Sequence, residues 1–515
     1  MSAPIYPKAQ RRESFAGEVF LDAAQHIERP YRTAGSELAA VRPSPSAMPG
    51  LGRSGGLLPD SLAGRMVVTI FDAVQQTARS KGWFAASSVI GKTLREDRKL
   101  HSRDRRYVGD TVHAMLRRLR RLRALVGGKN PSAQSLYAVY LIDEWATLYR
   151  QASDSKEQRE VLTRFAKTAG LSFEETLSRR DQMESQVAQI QALAVSDQVR
   201  VLGEALSYPD WLVALLVGEF GLDQAMAVLR AQNGRARLTL RTNLVKVSRE
   251  ELLHRLQTLG VTAEPTPWSP WGVVLDTHLN VYSLPLHEEG LCEVQDEASQ
   301  LVAELCAPPP GSLVVDACAG AGGKTLALSA MLANRGRILA LDIDERKLSE
   351  LKNRARRAGL TNIETRCLDE DGLLHIVPER LVGGGAQRVL VDAPCSGLGV
   401  LRRNPEARWR LQPGDIEEIQ VKQRRILAAS ARLVAPHGRL IYATCTILRR
   451  ENDEIVDEFL RTHPDFVSVP AKEILSSARA SQFGDGERLR ILPTENGPDG
   501  FFAAVLRRKV SGPTS

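Results

Sequence analysis

From Leu313 to Thr444 the sequence repeats one pattern: a short unbroken apolar run, a turn, then a stretch with helical spacing. The runs are Leu313–Asp316, Ile338–Asp342, Val389–Asp392 and Leu440–Thr444. Apolar runs that are continuous rather than alternating are expected of strands covered on both faces. The stretches between them, among them Glu345–Ala358 and Ile416–Val434, predict helices. Alternation of this kind folds into a doubly wound, mostly parallel sheet. Such sheets bind ligands in the crevice outside the carboxyl ends of the strands. The loops that follow the four runs are therefore where chemistry is expected.

The first loop reads Asp316-Ala317-Cys318-Ala319-Gly320-Ala321-Gly322-Gly323-Lys324-Thr325. Small residues let a ligand approach the backbone, and the next helix offers its N-terminus. Three readings compete. A dinucleotide fingerprint needs G-x-G-x-x-G, and Gly320, Gly322 and Gly323 are wrongly spaced for it. A phosphate loop needs glycine where Cys318 stands. The third reading is the nucleoside loop of a methyltransferase. The second run ends in Asp342, whose carboxylate can accept both ribose hydroxyls of a nucleoside. Asp369 ends the next expected strand, where a side chain reaches either the base or other polar groups of the same ligand, or is simply a loop acid.

The last two loops each carry a cysteine directly after a strand: Asp392-Ala393-Pro394-Cys395-Ser396 and Thr444-Cys445-Thr446. One cysteine there is usually a small buried residue, but two converging on one crevice call for a chemical reason. Cytosine C5 is a poor nucleophile. A thiolate that adds to C6 pushes electrons onto C5, which can then attack a methyl sulfonium; covalent catalysis splits one hard step into easier ones. An acid at Asp392 could hold the N3/N4 edge of the base, and a second thiol could assist release of the product. The other cysteines are Cys292, Cys306, Cys318 and Cys367. None of the six forms a C-x-x-C pair, so no metal site is expected and all read as free thiols of a reducing cytosol.

The remainder of the chain supplies context. Residues 1–58 end in a Pro/Gly/Ser stretch and read as a leader without a core. From Ser61 the apolar spacing is helical, with Met66, Val67, Ile70, Phe71 and Val74 on one face, then Val112, Met115, Leu116, Leu119, Leu122 and Val126. Between the latter stand Arg117, Arg118, Arg120, Arg121 and Arg123, either a phosphate-binding ridge or a solvated face. Residues 200–285 read as mixed α/β, with a helix from about Asp210 to Phe220, a strand in RLTLRTN, and a capping box of Ser248 and Glu251. The formal charge is +8 and the pI about 9.2, a balance that favours a polyanionic partner. No apolar run approaches the ~20 residues needed to cross a bilayer, and a cytoplasmic protein is expected.

The loops DACAGAGGKT, DAPCSGLG and YATCT, with QDEAS at Gln295–Ser299, resemble the Sun/Nop family of RNA 5-methylcytosine methyltransferases over roughly residues 205 to 508. The resemblance implies a Rossmann-like class I methyltransferase domain that uses S-adenosylmethionine. It implies that Cys445 is the nucleophile, that Cys395 assists elimination, and that Asp392 holds the base. Cofactor binding would fall on Cys318, Ala319, Gly320, Ala321, Gly322, Gly323, Lys324, Asp342, Asp369 and Asp392. One departure stands out: the family loop more often carries Ala-Pro where this chain has Gly320-Ala321. The stretch HSRDRRYVGDTVHAMLRRLRRL is similar to the NusB-like RNA-binding domain at the front of RsmB-type ribosomal RNA small subunit methyltransferases.

The expected architecture is thus a leader (1–58), an all-α NusB-like domain (59–195), a small α/β RNA-recognition segment (196–285) and the α/β methyltransferase domain (286–510). The expected activity is methylation of cytosine C5 in RNA, with small-subunit ribosomal RNA as partner, by a monomer that needs neither metal nor membrane. A transfer RNA substrate, an amino- or protein-methylating enzyme, and a non-catalytic RNA-binding assembly factor remain as alternatives. The Asp-Ala-Pro-Cys loop differs from the Asn/Asp-Pro-Pro-aromatic loop usual in amino-methylating enzymes.

Overall fold

The computed structural model describes residues 61–81, 86–96, 100–128, 130–148, 155–276, 279–369, 371–373 and 384–509; the leader 1–58 lies outside them. Up to Asn233 the described residues form helices: α1 (Leu62–Lys81), α2 (Ala86–Glu96), α3 (Ser102–Arg117), α4 (Leu119–Val126), α5 (Ala133–Leu148), α6 (Ser155–Thr168), α7 (Phe173–Ala188), α8 (Val195–Ala205), α9 (Asp210–Phe220) and α10 (Leu222–Asn233). The apolar face read from α1 is buried at Val67, Ile70, Phe71 and Val74. Helix α5 is buried around most of its circumference, including Leu136, Tyr137, Val139, Ile142 and Trp145. It is the axis of this helical body. Helices α8 to α10 share the same core through Leu202, Leu212, Leu216 and Val228.

The arginine-studded stretch fits neither a phosphate ridge nor a solvated face. It is broken at Arg118, whose φ of −110° and ψ of 13° separate α3 from α4. Arg121 gives Nε and Nη2 to Asp143 at 2.9 and 2.8 Å and reaches Glu184 at 2.7 Å. Arg118 pairs with Glu144 and lies over the Tyr140 ring. Arg120 binds the Tyr208 carbonyl and Asp210, both at 2.6 Å. Arg117 donates to the Arg402 carbonyl at 3.0 Å. Arg123 is exposed. Three of the five guanidiniums therefore tie parts of the helical body together, and Arg117 ties α3 to the segment that carries Arg402. A buried guanidinium needs partners that a phosphate would otherwise supply, and here the chain supplies them from α5, α7 and the turn before α9.

After α10 comes a four-stranded antiparallel sheet of β1 (Leu238–Thr242), β2 (Ala263–Pro265), β3 (Gly272–Leu275) and β4 (Cys292–Val294), in the order β2-β3-β1-β4. Helix α11 (Arg249–Thr258) lies between β1 and β2. Its N-cap Ser248 accepts the Glu251 N–H at 3.1 Å. The reciprocal half of the expected capping box is missing, because the Glu251 carboxylate takes Arg255 Nε at 2.7 Å instead.

The second sheet follows, flanked by α12 (Glu297–Cys306), α13 (Gly323–Met331), α14 (Glu345–Ala358), α15 (Pro413–Ala431) and α16 (Asp453–Thr462). Its strands are β5 (Leu313–Asp316), β6 (Arg337–Asp342), β7 (Ile363–Cys367), β8 (Ala386–Asp392), β9 (Val434–Thr444), β10 (Phe466–Val469), β11 (Leu489–Ile491) and β12 (Phe501–Arg508). The order is β10-β12-β9-β8-β5-β6-β7, with β11 beside β12. Strands β9 through β7 run parallel and β12 antiparallel. This is the Rossmann-like class I methyltransferase arrangement. All four expected strands are present, three of them extended at their N-terminal ends. Val434, expected as the last residue of a helix, instead opens β9. The chain order reverses at β5, which lies between β8 and β6, and that switch point is where such sheets open a crevice. No single helix among the described residues is long and apolar enough to cross a membrane.

Asp143 is fully enclosed in the helical body. Burial alone would raise its pKa, but Arg121, Arg118 and Arg180 overcome this and hold the carboxyl well below the usual range. A depressed carboxyl contributes stability above its unfolded value of 3.8, and loses it as pH falls toward the folded value. Asp143→Ala leaves the guanidiniums short of a partner and should cost about 3–5 kcal/mol at neutral pH. Urea denaturation across a pH series checks this: the gap between wild type and variant should narrow in acid.

Candidate active site

The carboxyl ends of β5, β6, β8 and β9 carry the residues singled out from the sequence. Strands β8 and β9 pair with Asp392 opposite Ala443, so the loops that leave them start side by side. Cys395 and Cys445 come together, with Sγ atoms 3.2 Å apart. The Ala393 N–H donates to the Ala443 carbonyl at 2.8 Å and the Gly399 N–H to the Cys445 carbonyl at 2.9 Å, lacing the two loops together. The hydrogen bond to Cys445, and then burial, push the Cys395 thiol well above the ordinary thiol range. Either thiol can be the donor of this contact.

Lys324 points at the same place. It is buried on α13, its Nζ lies 2.6 Å from Asp392 Oδ2, and it sits over the Phe501 ring. Burial would strip its charge, but Asp392 outweighs that, with Cys445 adding to the same effect, so Lys324 stays an ammonium ion. Asp316, the last residue of β5, accepts Thr325 Oγ1 at 2.7 Å, while its Oδ1 has no hydrogen-bond partner. Burial pushes its carboxyl up to about 7, aided by Asp392 and opposed by Thr325 and Lys324. Cys318, in the loop after β5, is raised well above the thiol range by burial and neighbouring acids.

The path of the β5–α13 loop is set by its glycines. Gly320 has φ +53° and a Cβ there would meet nothing within 4 Å. Gly322, the N-cap of α13, has φ +84° and offers no side-chain cap. A Cβ on Gly322 would strike Leu351 at 2.4 Å, so the loop can pack on α14 only with glycine. The Ala321 carbonyl accepts Arg354 Nη1 at 2.7 Å. That bond fixes the loop at Ala321. Arg241, from the four-stranded sheet, donates to the Gly323 carbonyl at 2.5 Å and to Gln295. Asp342 stands across from the loop, with Oδ2 accepting the Gly320 N–H at 2.7 Å and Oδ1 the Asp344 N–H at 2.9 Å. Asp369 lies two residues beyond the end of β7 and is exposed, rather than ending the strand. Among the described residues no group of His, Cys, Asp and Glu could hold a metal ion.

Several participants carried no sequence signal. Glu451 is fully buried and bonds to the residues after both cysteines, yet it sits in Arg449-Arg450-Glu451-Asn452-Asp453-Glu454, which reads as a solvated run. The loop after Cys395 is also held by arginines. Arg402 and Asp499, each only 1% exposed, form a buried ion pair at 2.5 Å. Arg408 lies 4.0 Å over the Tyr208 ring and donates to Asn233 Oδ1 at 2.7 Å. Gln232 Nε2 donates to the Leu398 carbonyl at 2.5 Å, and the Arg449 N–H to Glu219 at 2.7 Å. The core of the helical body includes Leu398, Leu401, Leu411, Ile447 and Leu448. The helical body thus grips both cysteine-bearing loops.

Residues 303–507 match the family model described as 16S rRNA methyltransferase RsmB/F, and residues 208–282 match the ferredoxin-like domain of RsmF/B-like methyltransferases. A probable ribosomal RNA small subunit methyltransferase B of Synechocystis sp. is 32% identical over 416 residues, covering 79% of this chain and 91% of the relative. The chain belongs to the RsmB/F methyltransferase family. A second relative carrying the same description, from Bacillus subtilis, is 34% identical over 322 residues, covering 61% of this chain and 70% of its own. The crystal structure of PH0851 superposes with a TM-score of 0.65 at 25% identity, covering 86% of this chain and 98% of that one. A methyltransferase homolog from Pyrococcus horikoshii has a TM-score of 0.52 at 25% identity, covering 61% and 100%. The ferredoxin-like part named by the family is the segment that contains α11 and the strands β1, β2 and β3, and its Arg241 reaches the loop of the RsmB/F catalytic domain.

The raised Asp316 carboxyl makes a stability prediction of opposite sign to Asp143. A carboxyl raised from 3.8 to about 7 contributes stability that is present below the unfolded value and lost as pH rises through the folded one. Calorimetry should show wild-type Tm falling relative to Asp316→Asn between about pH 4 and about pH 8. Parallel curves for the two proteins would place the proton elsewhere.

Proposed function

We propose that the chain methylates cytosine C5 in small-subunit ribosomal RNA, using S-adenosylmethionine and a covalent adduct between Cys445 and C6 of the base. The observation that carries this reading is the dithiol, with Sγ atoms 3.2 Å apart beside the Lys324–Asp392 pair. Methylation of oxygen or nitrogen needs no enzyme thiol, since those atoms carry their own lone pairs. Carbon C5 needs electrons pushed into it, and a thiolate adding at C6 does that. The substrate class follows the relatives named as small subunit ribosomal RNA methyltransferases.

S-adenosylmethionine supplies an electrophilic methyl group when bound. The open backbone at Gly320 and the uncapped N-terminus of α13 would take its polar end. Asp342 already accepts one N–H on each oxygen, but a carboxylate has about four acceptor positions, which leaves the others for ribose hydroxyls. Asp369 is exposed where it can add a further contact. Cys318 to Lys324 would wall the remainder.

The chain's own groups then act in sequence. Cys445 attacks as the thiolate, the nucleophilic form of a thiol, with Cys395 Sγ 3.2 Å away and the Lys324–Asp392 pair beside it. Cys445 Sγ forms a bond to C6, and the C5–C6 π pair moves to C5. Asp392 Oδ2 is held by Lys324, which leaves Oδ1 for the N3/N4 edge of the base. Once C5 carries the methyl group, a water molecule accepts the C5 proton and the C–H electron pair re-forms the C5–C6 double bond. The S–C6 bond then breaks and its electron pair returns to Cys445, with Cys395 assisting. The target base must be unstacked to reach this crevice.

Two tests address this reading. Cys445→Ala should abolish both methylation and any covalent RNA species on a denaturing gel. Cys395→Ala should still form the adduct and accumulate it, because elimination is slowed. Accumulation in Cys445→Ala, with none in Cys395→Ala, would reverse the two roles. Separately, Asp342→Asn should weaken S-adenosylmethionine binding by about 1.5–3 kcal/mol, the usual contribution of hydrogen bonds to a charged group. Titration calorimetry measures this directly, and an unchanged affinity would move the cofactor site elsewhere.

A further inference from the structure

Each cysteine of the pair is followed by a hydroxyl residue, Ser396 and Thr446, and both hydroxyls turn away from the thiols into a buried pocket. Glu451 fills that pocket. Its Oε1 accepts Ser396 Oγ at 2.5 Å and Thr446 Oγ1 at 2.9 Å. Its Oε2 accepts the Ser396 N–H at 2.9 Å and Gln423 Nε2 at 3.1 Å. The two hydroxyls lie 2.8 Å from each other. Gln423 also donates to the Pro394 carbonyl at 3.1 Å, just before Cys395. Glu451 is itself anchored, because Tyr442, two residues before the end of β9, donates its hydroxyl to the Glu451 carbonyl at 2.7 Å. Among the described residues no lysine or arginine forms an ion pair with this carboxylate.

An acidic residue with no cation beside it is costly to bury unless its acceptor positions are filled. Here four donors meet the four acceptor positions of one carboxylate. Three of them come from the residues that follow the two thiols, and the fourth from Gln423 on α15. Glutamine at 451 could not replace the carboxylate, because it offers one acceptor oxygen and brings two donors of its own. The β8 and β9 loops are separate in the chain, and beyond the last ladder pair the sheet no longer sets the distance between them.

We propose that Glu451 is the positioning residue that sets the spacing of the two thiols. Its carboxylate clamps Ser396 to Thr446, and so holds Cys395 Sγ against Cys445 Sγ. The carboxylate bonds to Ser396, Thr446 and Gln423 and acts on the thiols through them. The consequence for methyl transfer rests on the function proposed above; the geometric claim stands on the protein alone.

The test reads the spacing directly. Dibromobimane alkylates thiols one at a time and becomes fluorescent when it bridges two that are close. In the wild-type protein, peptide mapping should find a Cys395–Cys445 bridge. In Glu451→Ala the bridged fraction should fall about tenfold to a hundredfold relative to singly alkylated Cys445, the loss expected when reacting groups move by about 1 Å. Glu451→Gln should be intermediate. With RNA, kcat should fall in the same order while KM for RNA holds. Ser396→Ala and Thr446→Val each remove one spoke and provide the same reading should Glu451→Ala not fold. A purely structural role would lower Tm but leave the ratio of bridged to singly alkylated protein at its wild-type value in the folded fraction, and that result overturns the proposal. Wild-type protein that bridges normally but methylates no RNA would sink the functional reading and leave this one standing.

Discussion

The parallel pairing of β8 with β9 is the constraint on which the rest of the site depends. Asp392 faces Ala443 across the ladder, so the loops that leave these strands start side by side. Three residues after Asp392 and two after Ala443, the chain reaches Cys395 and Cys445. Strands advance by about 3.3 Å per residue, so a slip of one position would separate the thiols by roughly their whole present distance. A one-residue slip would also exchange the side chains that β9 presents to its two faces, where Leu440 and Tyr442 pack in one core and Ile441 and Ala443 in another. The core of the sheet therefore protects the geometry of the thiols, although neither sulfur belongs to it.

Buried charge does the work that strand pairing cannot. The loops beyond β8 and β9 have no ladder to hold them, and polar groups from three directions take over. Glu451 holds them from below. Gln232 and Glu219 hold them from the side of the helical body, to which Arg408 reaches back at Asn233; Arg402 ties the same segment to Asp499, and Arg354 and Arg241 hold the neighbouring glycine loop. Glu451, Arg402, Arg408, Gln232 and Arg241 are enclosed and need several partners at once. Loops that could otherwise adopt many conformations thereby take one. A consequence for the helical body follows: it is a buttress for the catalytic loops through α9, α10 and the turn around Tyr208, whatever it does toward RNA.

The arginines of α3 and α4 illustrate how sequence pattern misleads. Five guanidiniums in seven residues look like a surface feature, since arginine is seldom buried. The partners that make burial possible, Asp143, Glu144 and Glu184, are distant in sequence and are unremarkable there. Only the packing of α5 and α7 against α4 brings them within reach. Glu451 was hidden for the same reason, because a charged run gives no sign that one member turns inward.

Local sequence was enough to determine the class of the methyltransferase domain and to locate four of its strands, β5, β6, β8 and β9. Unbroken apolar runs and the glycine loop are short-range signals, and the two strand-end cysteines carry their meaning in the residues beside them. The half-formed capping box at Ser248 and the start of β9 at Val434 show the limit even at short range, where a competing side chain or a sheet neighbour decides. The tertiary structure alone decided which arginines are buried, that the helical body grips both cysteine loops, and that one carboxylate ties those loops together. Hydrogen bonds and ion pairs between groups far apart in the chain leave no periodicity in the sequence. They exist only once the cores have formed and brought their partners within about 3 Å.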